Sequence, residues 1–311
     1  PTADLHEIKS EYDVSILDES PKSKLVKYGY EIFQNTPSYI GPNIFDSAKI
    51  FSGNNLACSN CHLWAGTKPF SASLVGVVNR FPQYRSREHK LGTIKERING
   101  CMERSMNGRM MPLDSYEMKA LVGYLKWIGR NAPSEGEVFG QGFMKINLPN
   151  RAVNLENGME IYRVQCVLCH GSKGEGIKGM ESNLYLYPPL WGPDSYNNGA
   201  GMSRVITAAQ FIKGNMPYGV TYESPILSDE DAYDVAGYIN QQERPVKINL
   251  ALDFPDLNRK PVSTPYPPYN DEFSLKQHQL GPFQTIIAYY KPVSYTHLRA
   301  HETVQDLVCR L

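Results

Sequence analysis

Two segments of this chain repeat one chemical pattern. Cys58-Ser59-Asn60-Cys61-His62 and Cys166-Val167-Leu168-Cys169-His170 both read C-x-x-C-H, and they lie 108 residues apart. In such a segment the two thiols bond covalently to heme vinyl groups, and the adjacent imidazole binds the iron from one side. One helical turn brings both sulfurs to one edge of the porphyrin and aims the histidine at its centre. Half of a structural zinc site competes with this reading for a single copy. Two copies, with no other Cys pair in the chain, count against it. A thioredoxin-like redox pair is less apt still, because neither copy sits between a strand and a helix. Cys58, Cys61 and His62 are therefore assigned to one covalently bound heme c, and Cys166, Cys169 and His170 to a second.

Each iron needs a sixth ligand. For heme 2 the chain offers Met180, Met202, Lys213 and Met216. Met216 precedes Pro217 and a last amphipathic helix, the place where class I cytochromes put their axial methionine, and it is favoured. Lys213 would have to lose its proton to bind iron, which requires burial. For heme 1 the internal repeat nominates Met111, the counterpart of Met216. Cys101, 39 residues after His62, competes with it. A lone thiol in an exported protein is oxidised or paired unless something protects it. Iron ligation is one answer and an inert buried thiol is another, and spacing alone leaves both open. The surroundings of Cys101 favour chemistry. Residues 80–109 hold eight Lys or Arg against Glu88, Glu96 and Glu103, a local excess of +5 in a neutral chain. Such a run is ordinarily a solvated basic face. Beside a thiol it also stabilises a thiolate and attracts anions.

The elements that must position these groups repeat as well. Each half has a helical pattern around C-x-x-C-H, a loop, a short helix, a Met-Pro pair and a terminal amphipathic helix. Leu121, Val122, Tyr124, Leu125 and Ile128 form the apolar face of the first terminal helix. Val235, Ala236, Tyr238 and Ile239 form that of the second, behind a Ser228 cap and an acidic first turn. The expected fold is mainly α: two class I cytochrome c-like domains with an extended C-terminal strap. The first domain spans 1–147 and the second 148–245, with a Gly/Pro-rich linker at 131–155. The Pro/Tyr-rich stretch 246–293 is the strap. Residues 294–311, which include His297, His301 and Cys309, read as a translated adapter and are set aside as a non-native tail.

The whole chain of 311 residues has 32 basic and 32 acidic residues, a balance that argues against a nucleic-acid binder. No run reaches the ~18 apolar residues of a membrane span. Attachment of heme to C-x-x-C-H takes place outside the bacterial cytoplasm. A periplasmic protein is expected, its export signal absent from this chain.

Four segments together carry a family resemblance: NLACSNCH, the Arg-rich stretch before INGCMERSMNG, CVLCHGSKGEG and QFIKGNMPYG. Over about residues 20–293 the chain resembles periplasmic diheme thiosulfate dehydrogenases, which also act as tetrathionate reductases. The resemblance implies that Cys101 ligates heme 1 opposite His62 and that this heme is catalytic. It implies that Arg87, Arg97 and Ser105 lie at the substrate site, with Phe70 a weaker match. Some members carry Lys just before the Met of the heme 2 loop. Here that residue is Asn215, so the implied heme 2 ligands are His170 and Met216. Joining two thiosulfate dianions into tetrathionate releases two electrons, which two hemes can hold, and arginines offset the repulsion between the anions. Cys101 could also carry a sulfur adduct, as in thiol–disulfide exchange. A small cytochrome c or a high-potential iron–sulfur protein is the expected electron partner. A diheme electron carrier with Met111 on heme 1, or a cytochrome subunit of a sulfur-oxidising complex, are the alternatives.

Overall fold

The longer helices of the first half are α1 (Pro21–Gln34), α2 (Ile94–Arg104) and α3 (Tyr116–Ile128). Those of the second half are α4 (Leu155–Gln165), α5 (Val205–Asn215) and α6 (Asp229–Asn240), and α7 (Leu275–Leu280) lies beyond them. The computed structural model describes residues 11–179 and 184–291. Met180 and the tail with His297, His301 and Cys309 lie outside the described residues.

Caps set where the helices begin. The Ser20, Ser115 and Ser228 hydroxyls accept N–H groups of the first turns of α1, α3 and α6, which would otherwise lack partners. Thr93 and Glu96 form a reciprocal capping box at the start of α2.

Each half is built on one close helix crossing. A Cβ on Gly29 of α1 would lie 2.1 Å from the Ala120 carbonyl oxygen of α3. A Cβ on Gly158 of α4 would lie 2.3 Å from the Asp234 carbonyl oxygen of α6. Glycine is needed at both positions because backbone meets backbone there. Ile32, Phe33, Met118, Leu121, Tyr124 and Leu125 fill the first core, whereas Tyr162, Ala209, Tyr233, Val235 and Ile239 fill the second. A buried tyrosine in each half reaches past the core to the heme-attachment segment. Tyr124 donates to Ala65 O and Tyr162 to Gly171 O, each at 2.7 Å, just beyond the motif histidine. Each bond stabilises the fold by about 1 kcal/mol and fixes the loop after the motif.

Strand structure among the described residues is limited to two-stranded antiparallel ribbons. Gln83–Arg85 pairs with Lys90–Gly92, in the register Gln83 to Gly92, and presents the basic stretch ahead of α2. Ser71–Ser73 pairs with Gly142–Phe143, which ties the segment after the first motif to the stretch between α3 and α4. No described helix is long and apolar enough to cross a membrane.

After α6 the chain runs back over both halves. Asp253 and Phe254 pack against the first half, where the Phe254 N–H donates to Arg87 O. Farther on, Lys260 is buried, donating to Tyr266 O and Pro268 O. The strap then becomes helical, which its Pro/Tyr-rich composition does not announce. α7 and a helical run at 284–291 bring Leu280, Phe283 and Ile286 into the second core.

Candidate active site

Both motifs are arranged to receive a heme. Cys58–Asn60 forms a single 3-10 turn, and the His62 N–H donates to Cys58 O at 3.0 Å. Val167–His170 forms one α-turn, and the His170 N–H donates to Cys166 O at 2.9 Å. Each imidazole is oriented through its Nδ1. His62 Nδ1 lies 2.8 Å from Ala72 O and His170 Nδ1 lies 2.8 Å from Pro188 O. Those carbonyls select the Nδ1–H tautomer and leave Nε2 as the electron donor that an iron requires. Burial pushes the His170 imidazole below its ordinary value, although the Pro188 carbonyl opposes the shift, so the neutral ligand form is favoured. All four motif thiols are free of disulfides. The residues present therefore fit two c-type hemes.

Cys101 behaves unlike the motif thiols. Burial pushes Cys58 up to about 11 and Cys61 up to about 12. Burial raises Cys101 as well, but the Arg97 guanidinium leads the opposing effects, and the thiol comes down to about 6. The cause is local. Arg97 stands one turn before Cys101 on α2, and its Nη1 lies 2.8 Å from Sγ. His62 Nδ1 is committed to Ala72, and the His62 side chain lies against Cys101. Cys58, Cys61, His62 and Cys101 thus converge on one place. Met111 lies fully buried in the first core, and its N–H and carbonyl are both clasped by the Asn99 side chain at 2.9 Å.

A cavity of about 120 Å³ opens beside Cys101. Arg97, Cys101 and Ser105 reach it from α2 and its C-terminal cap, and Arg87 reaches it from the loop after Gln83–Arg85. The four residues singled out from the sequence thus line one space. Arg85, Glu88 and Arg104 line it too, and the second half contributes Gly201 and Arg204. Spacing could have revealed Arg104, because Arg97, Cys101 and Arg104 stand at i, i+4 and i+7 on one helix face. Nothing in the sequence points to Arg204, or to Asp253, which binds Arg87 and Arg104 from the strap. Phe70 is not among the lining residues of this cavity. It packs between Phe139 and Tyr222, at centroid distances of 5.6 and 4.8 Å.

Around the second motif, Met216 caps α5 and packs with Cys166 and Val167 against the second core. Lys213 is committed elsewhere: its Nζ donates to Leu227 O at 2.7 Å and pairs with Asp229 at 3.1 Å. Met202 packs against the first core. Asn215 is buried and donates to Phe70 O at 3.0 Å, which fastens the Met216 loop to the first half.

Comparison with known proteins agrees with this architecture. Residues 43–133 match the SoxA/TsdA cytochrome c domain family, and residues 155–243 match the cytochrome c family. The chain is 36% identical to a thiosulfate dehydrogenase of Psychrobacter arcticus over 78% of its own length and 71% of the relative's. It is 42% identical to a thiosulfate dehydrogenase of Allochromatium vinosum over 63% of its length and 72% of the relative's. Among solved structures, the thiosulfate dehydrogenase TsdBA from Marichromatium purpuratum in its as-isolated form superposes with a TM-score of 0.68 at 32% identity. That match covers 78% of this chain and 52% of the TsdBA chain, so this protein spans about half of that structure's length. Two cytochrome c domains carry two covalently bound c-type hemes, and the chain belongs to the thiosulfate dehydrogenase family.

Proposed function

We propose that this protein interconverts thiosulfate and tetrathionate. Two thiosulfate dianions join into one tetrathionate dianion, and two electrons are released. The observation that carries the reading is the contact of Arg97 with the Cys101 sulfur at 2.8 Å, at the wall of an arginine-lined cavity and against His62. The name shared by the relatives supports thiosulfate as the substrate.

In this reading His62 and Cys101 hold the iron of the first heme, and His170 and Met216 hold that of the second. The bound hemes supply an acceptor for each of the two electrons. The protein's own groups bind and orient the anions. Two dianions brought to 4 Å repel each other by roughly 16 kcal/mol at an effective dielectric of 20. A basic cavity is therefore required, and Arg87, Arg97, Arg104 and Arg204 make one. Guanidinium forks suit the planar, paired hydrogen bonding of oxyanion oxygens. The Ser105 hydroxyl adds a neutral donor at the same wall. Arg97 keeps the Cys101 sulfur deprotonated. A periplasmic location is proposed, with a small cytochrome c or a high-potential iron–sulfur protein as electron partner.

The test is an assay of purified diheme protein in both directions, thiosulfate oxidation and tetrathionate reduction. Turnover that saturates with thiosulfate is expected. Absence of turnover in both directions, with both hemes attached, would favour an electron carrier or a subunit of a larger complex.

A further inference from the structure

Two arginines of the anion cavity, Arg87 and Arg104, are held by a residue that belongs to neither cytochrome c region. Asp253 lies on the strap, beyond the matched segments 43–133 and 155–243. Only 4% of it is exposed. Its carboxylate accepts Arg87 Nη1 at 2.7 Å, Arg104 Nη2 at 2.6 Å and Arg104 Nε at 3.0 Å. Tyr266 OH donates to it at 3.3 Å, and Lys247 Nζ stands at 3.5 Å. The neighbouring Phe254 grips Arg87 twice. Its N–H donates to Arg87 O at 2.9 Å, and its ring lies 4.6 Å from the guanidinium carbon.

We infer that Asp253 is a positioning residue for the anion site, fixing the guanidiniums of Arg87 and Arg104 in place before substrate arrives. The inference rests on the thiosulfate reading above. Two opposing effects have to be weighed. A carboxylate lowers the positive charge of the cavity, which disfavours anion binding. It also orders two long side chains, so that binding does not bear the entropic cost of ordering them. Ordering wins because one carboxylate is shared among Arg87, Arg104 and Lys247. Arg104 also pairs with Glu88 at 3.5 Å and Glu103 at 3.9 Å, yet the cavity stays cationic while its geometry is fixed, because Arg85, Arg87, Arg97, Arg104 and Arg204 outnumber Glu88 and Asp253.

The test uses Asp253→Ala and Asp253→Asn in the diheme holoprotein. For Asp253→Ala, KM for thiosulfate should rise about tenfold while kcat stays within about threefold, the split expected from lost binding rather than lost chemistry. The Kd for sulfate, a redox-inert dianion, should weaken by about the same factor in calorimetry. Asp253→Asn should show a smaller change of the same kind, because its amide oxygen still accepts one guanidinium. If Asp253→Ala fails to fold, Asp253→Asn carries the test. Sulfate affinity and KM within about twofold of wild type in the folded variants would overturn the inference. So would loss of heme or of kcat at unchanged sulfate affinity, which marks a scaffold role only. If the wild-type protein turns over no thiosulfate, the function reading falls. The sulfate titration still judges Asp253.

Discussion

Arg97 and Cys101 stand one turn apart on α2, and the guanidinium nitrogen lies 2.8 Å from the sulfur. The thiol is buried, and burial alone would keep it protonated, as it does for Cys58 and Cys61. The cation reverses that tendency. A chemically distinct sulfur thus faces His62 in a protein whose other described cysteines all belong to heme motifs.

Removing the cation should therefore damage the site more than a surface arginine would. Arg97→Ala should lower kcat/KM for thiosulfate by roughly 10- to 100-fold, the equivalent of a charge-assisted hydrogen bond of about 1.5–3 kcal/mol. Steady-state kinetics at fixed ionic strength checks this. An unchanged kcat/KM would remove Arg97 from the site.

Two thioether bonds at each motif predict that acid–acetone extraction leaves two hemes per chain. Met216→Gly should abolish the weak near-infrared methionine-to-iron band and lower the heme 2 potential, because a thioether favours the ferrous state. A band that survives would move the assignment to another methionine.

The close helix crossings give a stability prediction. Gly29→Ala and Gly158→Ala would each drive a Cβ against a backbone carbonyl, at 2.1 and 2.3 Å. Neither neighbour is a flexible side-chain end that can swing away. Each variant should lose about 1–3 kcal/mol, the usual scale of overpacking, in denaturant unfolding of the holoprotein. Wild-type stability would mean that the helices cross less closely than described.

Strong acid should weaken the hold of the strap on the first half. Burial raises the Asp253 carboxyl, but hydrogen bonding and charge from Arg104 and Arg87 dominate and hold it at about 2. Lys247 and Lys260 also face it, and Tyr266 beside it stays neutral, pushed up to about 12. A carboxylate depressed in the folded state contributes stability above its unfolded value near 3.9, and that contribution is lost as pH falls toward 2. The contribution is about 2–3 kcal/mol. Unfolding curves at pH 5 and pH 2.5 should differ by less in Asp253→Asn than in wild type. An equal difference would contradict the assignment.

The sequence made the local features readable. The two C-x-x-C-H turns, the apolar faces of α3 and α6, and the Ser228 cap depend on neighbours a few residues away. The grouping of Arg97, Cys101 and Arg104 on one helix face has the same origin. What stayed unread is tertiary. Asp253 meets Arg87 across 166 residues of chain, and Arg204 comes to the cavity from the other half. No local pattern marks either. The helical end of the strap was hidden for a related reason. Its buried residues, Leu280, Phe283 and Ile286, form a face only against the second core. Pro282 and Gly281 interrupt the periodicity that would announce a helix.

In the proposed function Cys101 is the working sulfur of a thiosulfate–tetrathionate site. The most direct measurement is turnover of Cys101→Ala in both directions, taken together with its heme 1 spectrum. Both hemes should remain attached, because the motif cysteines are untouched. Thiosulfate oxidation and tetrathionate reduction should each fall by roughly 1000-fold, the scale of deleting a group that acts in the chemical step, and the heme 1 spectrum should lose its thiolate character. Wild-type turnover with an unchanged heme 1 spectrum would contradict the account, and Met111 would then be the ligand to examine in an electron-carrying cytochrome.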